Sequence, residues 1–272
     1  MKQYLEVMKD VLDNGELVYN SRTKTNTLTT LNHTLKYTPD DFPLVTTRKS
    51  YWKQAICEML CYIRGYDDLR QFHSLGVHTW DANVKAWKST NKHDNYDTGL
   101  IYGASAEKVG VGYNDILVQL THKSTDRGII WNFWNPEYFS QGCLRPCMYS
   151  HQFNVLDGKL HLTSIQRSVD VPLGLNFNMV QVWFLCFITA KLTDLEMGTC
   201  THHLVNCHIY ENQIKLAKEQ VQREPFPAPK FICKRPITFN DVMYLIDKDN
   251  FDIYFDIEDY QYHPPIKYPF TV

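Results

Sequence analysis

Apolar residues recur at helical spacing over residues of about 2–14, 51–64, 67–75, 113–123, 174–193 and 211–222. This repeat lays an apolar stripe along one side of a helix. In the first segment Tyr4, Leu5, Met8, Val11 and Leu12 share a side. Gly65 follows the second, where a glycine ends a helix in left-handed backbone. Between these stretches, residues of about 27–37, 128–134, 150–156, 159–166, 203–210 and 252–257 read as strands. Asp157-Gly158 joins two of them as a hairpin turn, because both turn positions require positive φ. Strands and helices interleave without a regular βαβ rhythm. The pattern therefore predicts an α/β chain of the α+β kind, a mixed β-sheet with flanking helices. Residues 83–99 are polar and irregular and read as a surface excursion with little core of its own. No repeat, low-complexity tract or linker interrupts the chain, so residues 1–272 read as one domain.

Composition narrows the class. In 272 residues, 44% are hydrophobic and 14% aromatic, ample for a large interior, and the 21% charged fraction excludes a disordered chain. A net charge of -2 gives no bulk attraction to nucleic acid or an acidic membrane. The longest apolar run, Met179 to Leu192, contains Gln181, Thr189 and Lys191. It falls short of the roughly 20 residues a membrane span needs and reads as a buried helix. The amphipathic start carries no secretory signal, so a cytoplasmic location is expected. For the 8 cysteines that location disfavours disulfides. The spacings of Cys57 with Cys61 and Cys143 with Cys147 match zinc sites poorly, so no metal is expected.

Candidate chemistry sits at five places. In Leu144-Arg145-Pro146-Cys147 the proline fixes the backbone where the cysteine enters a strand, and arginines nearby would favour the thiolate. A buried, inert thiol is the alternative. In Gln166 to Asn178, Arg167 and Ser168 suit a phosphate, Asp170 and Asn178 flank a turn containing Gly174, and an Asn side chain matches the amide edge of uracil. The same stretch could be a strand-to-helix junction capped by Asp170 or Asn176. On a strand, His208 and Tyr210 share a face and could both donate to one sugar hydroxyl, or simply line a half-exposed sheet. Glu58 lies among Ile56, Met59, Leu60 and Ile63. There it is either a proton-transfer group or a charge on the solvent side of its helix. Arg22 and Arg127 stand in polar turns and read singly as surface charges.

The joint order of these motifs resembles the thymidylate synthase family over nearly the whole chain. The resemblance runs through Phe42 to Thr47, Thr79-Trp80-Asp81, Tyr102-Gly103, Pro146-Cys147, Gln166 to Asn178, His208-Ile209-Tyr210, Arg223-Glu224-Pro225 and His263 to Lys267. It implies a three-layer fold and a homodimer packed sheet to sheet. It also implies conversion of dUMP to dTMP, with 5,10-methylenetetrahydrofolate as one-carbon donor and reductant. Cys147 would attack C6 of the pyrimidine, Glu58 would organise proton transfer, Tyr102 would assist loss of the C5 proton and Asn178 would read the uracil edge. Arg22, Arg167 and Ser168 would hold the phosphate, with Arg127 from the partner subunit. His208 and Tyr210 would hold the 3′-hydroxyl, while Trp80, Asp170 and Gly174 would meet the folate and the C-terminal Val272 would close over it. Thiolate addition makes C5 nucleophilic and splits one hard step into easier ones, provided water is excluded.

The chain departs from the family pattern at several positions. Gly128 stands where a second arginine is frequent, Met148 where His is common, Asn83 for Trp and Asn206 for Asp, and Ala104-Ser105-Ala106 replaces Lys-Gln-Trp. Three other readings compete. A pyrimidine hydroxymethylase of the same fold would let water capture the one-carbon intermediate. A cysteine hydrolase would need His208 as base and an oxyanion hole that no motif specifies. A silent nucleic-acid-binding homologue would sit poorly with the charge balance.

Overall fold

The fold is known from a computed structural model that describes residues 2–90, 96–122 and 125–271. Its centre is a six-stranded mixed sheet in the order β1-β2-β6-β5-β4-β3. The strands are β1 (Glu16–Asn20), β2 (Thr25–Tyr37), β3 (Ile130–Asn132), β4 (Met148–Leu156), β5 (Lys159–Asp170) and β6 (Glu196–Tyr210). All neighbours pair antiparallel except β5 with β6. A parallel pair needs a crossover, and helix α7 (Asn176–Leu192) supplies it.

That crossover is the long apolar run of the sequence. By length and composition Val171–Leu192 could cross a membrane, but most of it is buried in the protein, and α7 packs against β5, β6 and α2 (Trp52–Ile63). Helix α1 (Lys2–Asn14) lies on β2 and β6 with Tyr4, Val7, Met8 and Val11 buried. Sheet, α7 and α2 thus stack as successive layers, as expected. Phe42, Trp52, Trp183, Phe184, Phe231 and Phe255 form one aromatic cluster that includes rings of α2 and α7, with edge-on and tilted contacts. The eight cysteines are free thiols.

Several sequence expectations change. Residues 83–99 do not form an irregular excursion throughout, because Asp81–Thr90 is helix α4 and Val84 is buried. Beyond it Thr98 is buried, and Gly99 bridges Gly142. Polar composition hid a helix that contributes few anchors to the core. The stretch 252–257 begins as a helical turn, α9 (Phe251–Tyr254), before the short strand β8 (Phe255–Glu258) pairs with β7 (Lys230–Cys233). β5 and β6 run past their expected limits, so Arg167, Ser168 and Asp170 lie on a strand and not in the junction after it.

The sheet also changes face along one line. On β5 the buried residues step from Gln166 to Val169, on β6 from Leu204 to Cys207, and on β4 from Met148 to His151 with a register shift between Met148 and Ser150. Pairing places Gln166 beside both Met148 and Leu204, and Asn206 beside Leu31 next to Asn32, whose φ is 64°. An odd step in a period-two strand turns every later side chain to the other face. Arg167 sits on this line.

The remaining helices are α3 (Leu69–Ser74), α5 (Tyr102–Lys108), α6 (Tyr113–His122) and α8 (Ile214–Gln220). Helix α5 packs against α2 so closely that a Cβ at Gly103 would stand 1.7 Å from the Tyr62 carbonyl oxygen. We therefore expect Gly103→Ala to lower stability by about 3 kcal/mol, since overpacking against backbone has no flexible partner to yield. A urea midpoint equal to that of the parent chain would show that the two helices can separate.

Candidate active site

Cys147 is half-buried at the mouth of β4 and held from three sides. Its backbone N–H donates to the Tyr102 hydroxyl at 3.1 Å. Its carbonyl accepts from the Arg167 N–H at 2.9 Å. The Arg167 side chain donates from Nε to the Pro146 carbonyl and from Nη2 to the Arg145 carbonyl, both at 2.9 Å, and Nη2 lies 3.9 Å from the Cys147 Sγ. Arg167 can reach this loop because the face change in β5 turns it there. The proline explains the loop's rigidity, and the arginine explains its position.

Charge on the sulfur is contested. Burial raises the Cys147 pKa, while Arg167, Arg22 and the Tyr102 hydroxyl lower it, and burial prevails. The arginines thus favour the thiolate in direction, as expected, while desolvation outweighs their charge within one chain. Arg127 is not among these influences. It sits in the exposed turn before β3, with its carbonyl accepting from Gln152 at 2.8 Å.

Behind the cysteine lies an aromatic wall. Tyr62 and Tyr102 stack with ring centroids 4.2 Å apart, and Trp80 meets Tyr102 edge-on at 5.7 Å. Tyr102 opens α5 at a φ of 43°, a left-handed conformation that a bulky residue holds only under strain. Such strain clusters at functional sites, and here it aims the hydroxyl at Cys147.

Glu58 is 6% exposed, so the solvent-facing alternative for it is excluded. Burial raises its pKa, and hydrogen bonds from Thr79 Oγ1 and from Gln181 Nε2, the latter at 2.5 Å, pull it back. Gln181 in turn accepts from Asn178 Nδ2 at 2.9 Å, and Asn178 Oδ1 accepts from Gln166 Nε2 at 2.8 Å. Thr79 and Gln181 were not singled out from the sequence. A glutamine inside the apolar α7 run was the available signal, since a buried amide needs partners.

Arg167 also borders a cavity of about 270 Å³, lined by Asn20, Thr27, Thr29, Ser168, Asn206 and His208 among others but not by Cys147. Burial lowers the His208 pKa to about 4, helped by Arg22 and Arg167, so the ring is neutral. Its Nδ1 meets Asn206 Oδ1 at 2.9 Å. A neutral ring donating there offers Nε2 as an acceptor, so only Tyr210 of the pair remains a donor. The two rings are edge-on at 5.2 Å. Asp170 caps the wide turn Val171–Leu175 by accepting from the Leu173 N–H at 2.9 Å, and its other oxygen accepts from Gln213 Nε2 at 2.9 Å. Loss of solvent pushes its pKa up to about 6. The capping alternative for Asp170 is thus true, and a half-buried carboxylate stands there as well. Gly174 lies in that turn, with Asn178 Oδ1 3.6 Å from where its Cβ would be. Val272 lies outside the described residues.

The structure thus joins Cys147 to Tyr102 and Arg167, and Glu58 to Asn178 through Gln181, places Ser168 and His208 with Arg167 around one cavity, brings the charge of Arg22 to bear on the sulfur, and leaves Arg127 apart. Among the described residues one group could geometrically take a metal ion, His73, His78 and Asp81, with ligand atoms within 4.8 Å. Asp81 already bonds both rings, at 2.8 Å and 3.3 Å.

The chain is similar to known proteins along its whole length. The family model described as Thymidylate synthase matches residues 2–272. Proteins named thymidylate synthase from Shewanella frigidimarina and Vibrio cholerae are 46% and 45% identical, each aligned over 100% of both chains. One from Marinomonas is 45% identical with the same coverage.

Among the arginines that lower the thiol pKa, Arg167 acts most strongly on the sulfur. Arg167→Leu should slow alkylation of Cys147 by iodoacetamide at fixed pH, about tenfold for each unit by which the thiol pKa rises. An unchanged rate, read by peptide mapping, would count against this electrostatic role.

Proposed function

The chain belongs to the thymidylate synthase family, which methylates dUMP to dTMP, and we propose that it does so as one catalytic domain through attack of Cys147 on C6 of uracil. The family takes methylenetetrahydrofolate as co-substrate, and the compared relatives all carry the synthase name, so hydroxymethylation is not favoured. The observation that carries the mechanism is the Arg167 side chain, which bonds the Cys147 loop while lining the open cavity.

In this reading Arg22, Arg167 and Ser168 hold the nucleotide phosphate, where a guanidinium fork suits an anion better than a point charge. Tyr210 donates to the 3′-hydroxyl, and His208 Nε2 accepts from it. Asn178 takes the uracil edge. Attack by the thiolate pushes electron density to O4, where the protonated form of Glu58, favoured by burial, supplies a proton. Tyr102, with its hydroxyl already beside Cys147, assists removal of the C5 proton.

The aromatic face of Trp80, the Asp170 carboxylate and the side-chain-free Gly174 in the wide turn suit a flat, hydrogen-bonding pterin. When bound, the folate supplies the one-carbon unit and then a hydride. Val272 at the chain end would cover the site and exclude water. A cytoplasmic enzyme working without metal, membrane or nucleic acid completes the reading.

A homodimer supplies what one chain lacks. Leu31 and Val205 are exposed on the adjacent strands β2 and β6, at 61% and 41%. A second copy packed on this sheet would cover them and bring Arg127 of each chain to the other's phosphate, adding the positive charge that the buried thiol needs.

Two measurements test this. Cys147→Ser should reduce dihydrofolate formation to background, and so should Arg127→Glu by repelling the phosphate. Mixing the two variants should restore up to about a quarter of the activity, because a hybrid dimer holds one intact site. No recovery would sink the shared site, and normal turnover by Cys147→Ser would sink the nucleophile. Asp170 is ionised only above about pH 6. A raised carboxylate pKa means the acceptor is lost as pH falls through that value, so kcat/KM for the folate should drop below about pH 6, and Asp170→Asn should remove that limb.

A further inference from the structure

Six buried or half-buried side chains form a single file through the core. The Tyr37 hydroxyl meets His202 Nδ1 at 3.1 Å, and His202 Nε2 meets Gln166 Oε1 at 2.9 Å. Gln166 Nε2 donates to Asn178 Oδ1 at 2.8 Å, Asn178 Nδ2 to Gln181 Oε1 at 2.9 Å, and Gln181 Nε2 to Glu58 Oε2 at 2.5 Å. The Ser168 backbone carbonyl, which can only accept and takes a second hydrogen bond from Gln166 Nε2 at 3.1 Å, fixes the direction of the whole file, and at the far end Glu58 in its ionised form accepts from Gln181. Gln166 must therefore turn its oxygen to His202, whose Nε2 carries the proton. Tyr37 then donates to Nδ1. The ring is fully buried and kept neutral, with a pKa lowered to about 3, so a single tautomer serves both neighbours.

This polarity decides how Asn178 can stand. Each amide group forms one bond along the file, leaving one lone pair on Oδ1 and one N–H on Nδ2. Those complement uracil, which offers N3–H and O4. Cytosine offers the reverse pattern at N3 and its amino group and would require the amide to flip. A flipped Asn178 would set its N–H against the Gln166 N–H and its oxygen against Gln181 Oε1. Neither neighbour can follow, since Gln166 is held by Ser168 and His202, and Gln181 by Glu58. Gln181 and Gln166 are 0% and 1% exposed, so no water compensates the mismatch.

We propose that Gln181 is a specificity-determining positioning residue, locking the Asn178 amide in the uracil-reading orientation by tying it to the Glu58 carboxylate. On this view the asparagine alone does not select the base; its inability to turn over does. The inference rests on the reading that Asn178 faces the pyrimidine.

The experiment uses full-length enzyme with folate and follows tritium release from 5-tritiated dUMP and dCMP, with Asn178→Asp as a control on that reading. Gln181→Met removes both contacts, and the dUMP-over-dCMP ratio of kcat/KM should fall about tenfold or more. Gln181→Glu keeps an acceptor for Asn178 but sets a second carboxylate beside Glu58. It should hold the ratio within about twofold while moving the Glu58 limb of the pH profile upward. A merely structural role would lower kcat in both variants and leave the ratio alone. Should Gln181→Met fail to fold, Gln166→Glu asks the same question from the other side, because it can no longer donate to Oδ1, and the ratio should again fall. A ratio unmoved by Gln181→Met or Gln166→Glu, with Asn178→Asp shifting it, overturns the lock alone. A ratio unmoved by Asn178→Asp overturns the base-reading role and the lock with it.

Discussion

The bond set of Arg167 is the constraint on which the site depends. One guanidinium bonds the carbonyls of Arg145 and Pro146, approaches the Cys147 sulfur and lines the cavity. Without it the loop would lose its side-chain ties and keep Pro146, the Tyr102 hydroxyl on the N–H of Cys147 and the backbone bond from Arg167. A charged fork that satisfies backbone acceptors is stronger than a neutral bond, and it carries its charge to the sulfur. Position and electrostatics of the nucleophile therefore come from the same side chain.

Two polar residues on α7 serve the opposite end of the site. Asn178 and Gln181 are three apart, so they share a helix face, and the β5–α7–β6 crossover presses that face toward Glu58 on α2. Burying a carboxylate is costly unless donors meet it, and Thr79 and Gln181 do so. The cost appears as a raised pKa, which lets Glu58 hold a proton at a pH where an exposed glutamate would not. Stability is given up locally for a group able to work in both protonation states.

Within one chain, two conditions at the site stand open. Its cysteine is desolvated beyond what Arg167 and Arg22 offset, and the sheet face bearing Leu31 and Val205 is open to solvent. A second copy on that face would answer both conditions at once.

The periodicity of the chain determined α1, α2, α6 and α7, the core of each main strand, and the Asp157-Gly158 turn, because hydrophobic repeats and turn chemistry act over a few neighbouring residues. The order of motifs determined the family. Short elements with weak stripes, such as α4, α5 and β1, escaped it, since neighbours hold them more than their own pattern does. Only the folded chain decided that Arg167 turns toward Cys147, through an odd step shared by adjacent strands. Burial of Glu58, neutrality of His202 and the direction of the file through Gln166, Asn178 and Gln181 were likewise decided there. Desolvation and hydrogen-bond polarity depend on which groups meet across 100 residues or more of chain, and no local pattern carries that information.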